Sequence, residues 1–205
     1  ALVTHPDPLT RGMVAAALGA IRDSSSVAPL VTLLTDTDRT VRIAAARSLG
    51  ELGSIARSAF EPLLTLLEDE DDELRITVLA ALAQLQDPRA FAPVVVRLFD
   101  ANDEVRRNAA AAIGCLGNRD ALQPLLVCLK DDYHWVRANA AWSLGQLRLG
   151  EALPDLEKLE REDPDEDVRS TALTAIVFLD ADRGIARAFE EADGGAQRLQ
   201  TAALV

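Results

Sequence analysis

Residues 36–53 read DTDRTVRIAAARSLGELG, and the same pattern returns as DANDEVRRNAAAAIGCLG at 100–117 and DDYHWVRANAAWSLGQL at 131–147. Working outward on the shared arginine gives Arg11, Arg42, Arg75, Arg106, Arg137 and Arg169, spaced 31, 33, 31, 31 and 32 residues apart. Six residues before five of these stand Asp36, Asp69, Asp100, Asp131 and Asp163. Four before each lie Asp7, Asp38, Asp71, Asn102, Tyr133 and Asp165, and eight after lie Gly19, Gly50, Ala83, Gly114, Gly145 and Val177. A proline column runs through Pro29, Pro62, Pro93, Pro124 and Pro154. Columns that keep register over the chain mean a repeat array, and a repeat decides the fold before any residue-level reading.

Each column has a physical task. The Asp/Asn column stands where a helix N-cap belongs, its side chain accepting an orphan N–H of the first turn. Pro8 follows Asp7 at the first helical position, where a missing N–H costs nothing. Val41, Ala45, Leu49 and Leu52 fall on one helix face. The late glycine predicts close approach of a neighbouring backbone, and Gly53 and Gly117 suit a left-handed C-cap. The proline then opens a second helix, as in Pro124-Leu125-Leu126-Val127-Cys128-Leu129. The aspartate six before the arginine falls in the turn between helices. Stacking should bring it to an arginine of its own or the adjacent repeat, giving a structural ladder of charge-assisted hydrogen bonds. Its members are Asp36, Arg42, Asp69, Arg75, Asp100, Arg106, Asp131, Arg137, Asp163 and Arg169.

These strings resemble the HEAT-like repeat family, in the short-repeat branch first described in phycobilisome lyases, over roughly residues 5–180. The expected fold is all-α: an α-solenoid of about six helix-turn-helix repeats wound into a right-handed superhelix. Repeats are expected near 5–35, 36–68, 69–99, 100–130, 131–162 and 163–180, with a C-terminal cap helix and a frayed tail in 181–205. Neither half of a repeat buries its apolar face alone, so stability comes from stacking and the ends should differ. They do: His5 stands in the aspartate column, and residues 181–205 lose the columns and carry Gly194-Gly195.

Composition agrees. Hydrophobic residues make up 49% and aromatics 4%, an Ala/Leu-rich mix that favours close-packed helices over strands. The net charge of −12 disfavours phosphate backbones and anionic membranes, so neither nucleic acid nor a membrane is an expected partner. Lys130 and Lys158 are the only lysines, and Cys115 and Cys128 make no disulfide framework. No apolar run reaches spanning length and no signal segment opens the chain, so a cytoplasmic protein is expected. Starting at Ala1 rather than methionine, the sequence reads as a trimmed or excised fragment.

Two surfaces are candidates for partner binding. The outward positions of the second helices, which line the concave face in such solenoids, turn apolar at Val96, Phe99 and Val127. These either form a groove for a partner helix or loop, or pack against neighbouring helices. The fifth repeat holds Tyr133, His134, Trp135 and Trp142: the only tyrosine, both tryptophans and one of two histidines. The two tryptophans are seven residues apart and share a helix face. Trp142 stands where other repeats have Arg47, Ala80, Ala111 and Thr174, a solvent-facing column. Tyr133 replaces the capping residue, which forgoes about 1 kcal/mol unless Asp132 substitutes. Local rules broken this way mark contact residues, although Trp135 also suits a structural staple over the turn.

No catalytic or cofactor constellation is legible. The paired His-Glu ligands of the hydroxylase built on HEAT-like repeats are absent, and His5 and His134 lie 129 residues apart, which speaks against zinc. The cysteines are expected to be small buried hydrophobes, the serines at 24–26 a turn, and the acidic run at 68–73 a solvated loop rather than a calcium site. The leading expectation is a non-catalytic scaffold or adaptor for another protein. The resemblance implies an alternative: a bilin lyase-like or phycobilisome-turnover subunit that binds a linear tetrapyrrole or a phycobiliprotein. It also offers, more remotely, a helper in iron–sulfur assembly.

Overall fold

The computed structural model describes residues 2–181; the cap helix and tail expected in 181–205 therefore lie, but for Ala181, outside the described residues. The chain forms two compact units, Ala1–Asn118 and Arg119–Val205. Among the described residues all regular structure is helical. The first unit holds α1 (Pro8–Ile21), α2 (Val27–Leu33), α3 (Arg39–Leu52), α4 (Phe60–Thr65), α5 (Asp72–Leu85), α6 (Phe91–Val96) and α7 (Asp103–Leu116). The second holds α8 (Leu122–Cys128), α9 (His134–Gln146), α10 (Leu153–Glu162) and α11 (Glu166–Leu179). This is the helix-pair stacking of an α-solenoid. Long first helices stack on one another, α1 on α3 on α5 on α7 and α9 on α11, while the shorter second helices pack beside them.

The core follows the apolar periodicity. Val41, Ala45 and Leu49 of α3, Val78 and Leu82 of α5, and Val136, Ala140 and Leu144 of α9 are buried, with Leu63, Val94, Leu125 and Leu156 of the second helices closing over them. The glycine column sets the distance between helices. A Cβ on Gly50 would stand 2.9 Å from the Ala81 Cα, and one on Gly145 2.9 Å from the Ala175 Cα. At those points backbones meet with no room for a side chain.

Helix starts follow the capping chemistry. Asp7, Asp38, Asp71, Asn102 and Asp165 each accept first-turn N–H groups, whereas Tyr133 makes no side-chain cap bond. The prolines do not open the second helices. Each of Pro29, Pro62, Pro93 and Pro124 is the third helical residue and Pro154 the second, after a 3-10 turn. The first turn tolerates this because its N–H groups lack intrahelical acceptors anyway. After five of the six first helices the residue eleven past the arginine has a positive φ, at Arg22, Gly53, Gln86, Gly117 and Arg148, while α11 ends at Asp180 with φ −150°. Gly117 is a left-handed cap as expected, but Gly53 pairs its φ of 57° with a ψ of −132°. Three non-glycine residues accept the turn's left-handed conformation, so glycine marked only part of that column.

The ladder carboxylates sit between two arginines' claims. Each column aspartate turns a carboxylate oxygen onto the N–H of the capping residue two on: Asp36 to Asp38 at 2.9 Å, Asp131 to Tyr133 at 2.9 Å and Asp163 to Asp165 at 3.0 Å. Its backbone carbonyl accepts from the arginine of its own repeat, as with Arg42 to Asp36 (3.0 Å), Arg106 to Asp100 (3.1 Å) and Arg169 to Asp163 (2.9 Å). In Asp36, Asp100 and Asp163 the carboxylate takes a fork from the arginine one repeat earlier in the same unit: Arg11 on Asp36 at 2.6 and 2.7 Å, Arg75 on Asp100 at 3.2 and 3.0 Å, Arg137 on Asp163 at 2.7 and 2.8 Å. Arg42 and Asp69 form the loose rung, 3.9 Å apart, with the buried Arg42 Nε lacking a hydrogen-bond partner. His5 stands in for the missing first aspartate, its Nδ1 accepting from the Asp7 N–H at 3.2 Å.

The Arg11 guanidinium and the Asp38 N–H hold Asp36 below the usual carboxylate range against partial burial. Burial pushes Asp163 upward most strongly of any single influence, yet its bonds from Arg137 and the Asp165 N–H prevail and lower it. A depressed folded-state value contributes stability above the unfolded value, near 3.9, and loses it as pH falls towards the folded value. The stability difference between the native chain and Asp163→Asn should therefore be full above about pH 5 and shrink steadily below about pH 4. Urea midpoints of both proteins at pH 7, 5, 4 and 3 check this; a difference independent of pH contradicts it.

Candidate functional site

The first helices present one outward stripe, at positions two before and two, five and nine after the aligned arginine. On α3 it reads Thr40, Ala44, Arg47 and Glu51; on α5, Glu73, Thr77, Ala80 and Gln84. On α9 it reads Trp135, Asn139, Trp142 and Gln146. Polar or small residues fill it on α3 and α5 because the stripe faces water, so the two tryptophans of α9 depart from that pattern, as do Leu9 and Met13 of α1.

Trp135 and Trp142 are each 37% exposed. Seven residues along a helix place them about 10 Å apart, with Asn139 between them donating its amide to the Trp135 carbonyl at 2.9 Å. Trp142 meets Phe178 of α11 edge-on, ring centres 5.4 Å apart at 62°, and Phe178 is itself 40% exposed. At the other end the His134 ring lies 5.1 Å from both the Tyr133 and the Trp135 rings. Tyr133, His134, Trp135 and Trp142 thus share the outward side of one helix and its entry turn, extended by Phe178. Phe178 was not singled out from the sequence. The signal was present: it occupies the column of Glu51, Gln84 and Gln146.

The second-helix candidates are exposed as well. Val96 of α6 and Phe99 in the 3-10 turn after it face solvent in the first unit, and Val127 of α8 does so in the second. Each is more than half exposed. They lie on other helices than the tryptophan stripe, so the candidate contacts divide between first and second helices.

Cys128 is buried, but Cys115 is exposed, correcting the expectation that both fill the core. Cys115 stands nine after its arginine, in the outward stripe. The acidic run at 68–73 is engaged by arginines, Arg39 with Asp71 and Glu73, Arg75 with Asp72 and Arg97 with Glu68. No group of three metal-ligating side chains gathers among the described residues. A depression of about 280 Å³ between α8 and α10 holds both lysines, Lys130 and Lys158, opposite Asp155 and Glu162 over Leu129 and Leu159. Asp163, held in its rung by Arg137, lines it as well, so its carboxylates outnumber its lysines three to two. Among the described residues no helix is long and apolar enough to cross a membrane.

An all-helical stack of capped pairs, locked by arginine rungs and bearing its unusual residues on outward stripes, is a repeat scaffold, an architecture that generally binds proteins. The family model described as HEAT repeats matches residues 1–60 and 92–177, and the chain belongs to that family. No protein of curated function matches its sequence. Among solved structures, the complex of CpcE and CpcF of phycocyanin lyase from Nostoc sp. PCC7120 is similar at 24% identity and a TM-score of 0.66, over 87% of this chain and 74% of that one. A designed armadillo repeat protein in complex with the peptide (KR)4 is similar at 23% identity and 0.66, over 87% and 97%. A computationally designed armadillo repeat protein for modular peptide recognition is similar at 26% identity and 0.62, again over 87% and 97%.

Proposed function

We propose that this chain is a non-catalytic scaffold that binds another protein through the outward aromatic stripe of α9, with Phe178 alongside. The observation that carries this is the replacement of a water-facing polar stripe by Trp135 and Trp142 in the one repeat whose helix also lacks a side-chain N-cap. Partly exposed tryptophans on a rigid helix offer large contact area at little entropic cost, and residues of this kind dominate interface energies. Val127 of α8 is a further exposed apolar side chain of the second unit, and Val96 and Phe99 form a separate apolar candidate surface on the first. The column carboxylates and arginines are committed to rungs and caps, which leaves them to structure rather than to chemistry.

Affinity capture from the source lysate, with the native chain and with Trp135→Ala/Trp142→Ala as baits, tests the reading. One specific protein should be retained by the native chain and bound at least about 30-fold more weakly by the double variant, since interface hot spots contribute about 2 kcal/mol or more. Far-ultraviolet circular dichroism should be unchanged. Equal retention by both baits contradicts the assignment, and an eluate that absorbs visible light and contains a linear tetrapyrrole would replace it with a pigment-binding role.

A further inference from the structure

In the first unit the seams between successive first helices are bridged by the side chain three before the aligned arginine. Arg39 of α3 reaches the entry of α5, forking onto Asp71 at 2.5 and 3.2 Å and onto Glu73 at 2.8 Å. Asp72 of α5 accepts from the Asn102 amide at 2.7 Å. Pro8 of α1 offers no such group, but the one carboxylate at the next entry, Asp38, takes the Thr40 hydroxyl. In the second unit the pattern fails. His134 holds the column of Arg39, and Asp165 and Asp167 hold those of Asp71 and Glu73. The His134 ring lies instead 5.1 Å from the rings of Tyr133 and Trp135, and among the described residues no bond joins it to either carboxylate. Asp165 commits Oδ1 to the Asp167 and Val168 N–H groups. Its Oδ2 and the exposed Asp167 carboxylate take no side-chain donor among the described residues. The neighbouring arginines are held elsewhere: Arg137 by the Asp163 carboxylate, Arg169 by the Asp163 and Pro164 carbonyls.

We infer that the protein segment bound by the α9 stripe is basic. One of its arginines takes the place that Arg39 fills in the first unit, forked onto Asp165 and Asp167, and a large apolar side chain two or three residues away covers Trp142 and Phe178. This rests on the assignment of the stripe as the contact surface and adds the chemistry of the partner. The chain's own precedent selects arginine, since a planar guanidinium bridges two carboxylates where an ammonium is a point charge. Asp71 shows that the fork and the helix cap coexist on one carboxylate, which accepts from the Glu73 and Leu74 N–H groups as well as from Arg39. Register sets the spacing. Gly145 stands level with Ala175, which puts Asp167 level with Arg137 and about 8 Å along the axis before Trp142. An extended chain covers that distance in two or three residues at about 3.3 Å each. Charge agrees: Asp132 and Glu166, exposed at the same helix entries, add negative potential on a chain of net charge −12, which attracts a basic segment and repels an acidic one.

Panning a phage-displayed library of random dodecapeptides on the full chain tests this. The native chain should enrich peptides with arginine two or three residues from leucine, phenylalanine or tryptophan. A synthetic peptide of that kind should bind Asp165→Asn/Asp167→Asn at least about 10-fold more weakly than the native chain, because charge-assisted bonds are lost. Asparagine still caps α11, so the melting temperature and helical content of the variant should hold. Trp142→Ala should weaken the same peptide, and lysine in place of its arginine should weaken it as well. Raising sodium chloride from about 50 to about 500 mM should reduce binding to the native chain and leave the residual binding of the asparagine variant nearly unchanged. Enriched peptides that need Trp142 but carry no excess of arginine overturn the basic partner and leave the α9 stripe standing. Arginine peptides that bind the asparagine variant as tightly as the native chain overturn the seat on Asp165 and Asp167. Peptides indifferent to Trp142 and to both carboxylates, or no enrichment over blank resin, contradict the inference together with the stripe it rests on.

Discussion

Asp163→Ala should destabilise the second unit by about 3 kcal/mol, the lower end of what removing one partner from a buried ion pair costs. The Asp163 side chain is 3% and the Arg137 side chain 12% exposed, and the fork between them is bidentate at 2.7 and 2.8 Å. Alanine removes both bonds and also the acceptor for the Asp165 N–H at the start of α11. Arg137 keeps its bonds to the Asp131 and Asp132 carbonyls, which limits the loss. Asp69→Ala, in the loose rung 3.9 Å from Arg42, should cost only about 1 kcal/mol. Both tryptophans lie on α9, so fluorescence-detected urea unfolding reads the second unit directly, while circular dichroism reads the Asp69 variant. A loss below about 1 kcal/mol for Asp163→Ala would show that the rung is ornament rather than structure.

Gly145→Ala and Gly12→Ala should change stability in opposite directions. At Gly145 the added Cβ meets the Ala175 Cα and Cβ at 2.9 Å each, and backbone cannot swing aside as a flexible side chain can. Helix α9 must move off α11. Overpacking of this kind costs about 1–3 kcal/mol, and the net loss should be about 2 kcal/mol despite alanine's better helix propensity. At Gly12 a Cβ meets nothing within 4 Å, so only propensity acts and a gain of up to about 1 kcal/mol is expected. Thermal or urea unfolding at low micromolar concentration compares the two. Losses of equal size would mean that the glycine column does not set helix spacing.

The sequence carries the fold in columns, because each column answers a local demand. A cap must accept N–H groups, so Asp7, Asp38, Asp71, Asn102 and Asp165 announce helix starts. A backbone approach must lack a Cβ, so Gly19, Gly50 and Gly145 announce stacking. The direction of the rungs was not legible, since spacing alone allows an aspartate to meet its own arginine or the preceding one. The structure uses both, carbonyl for one and carboxylate for the other. Helix ends were half legible, because Arg22, Gln86 and Arg148 adopt the left-handed turn that glycine would have advertised. Of the candidate site, Trp135 and Trp142 stood out as aromatics in an exposed column. Phe178 escaped notice for lack of the contact between α9 and α11.

The most direct test of the binding assignment puts a photo-crosslinking phenylalanine derivative in place of Trp142 and, separately, in place of Ala80, the same outward column two repeats earlier. Irradiation in the source lysate should join a discrete partner protein to the chain labelled at position 142 and leave the chain labelled at position 80 without that adduct. Adducts of equal yield at both positions, or at position 80 alone, would contradict the placement of the contact surface on α9.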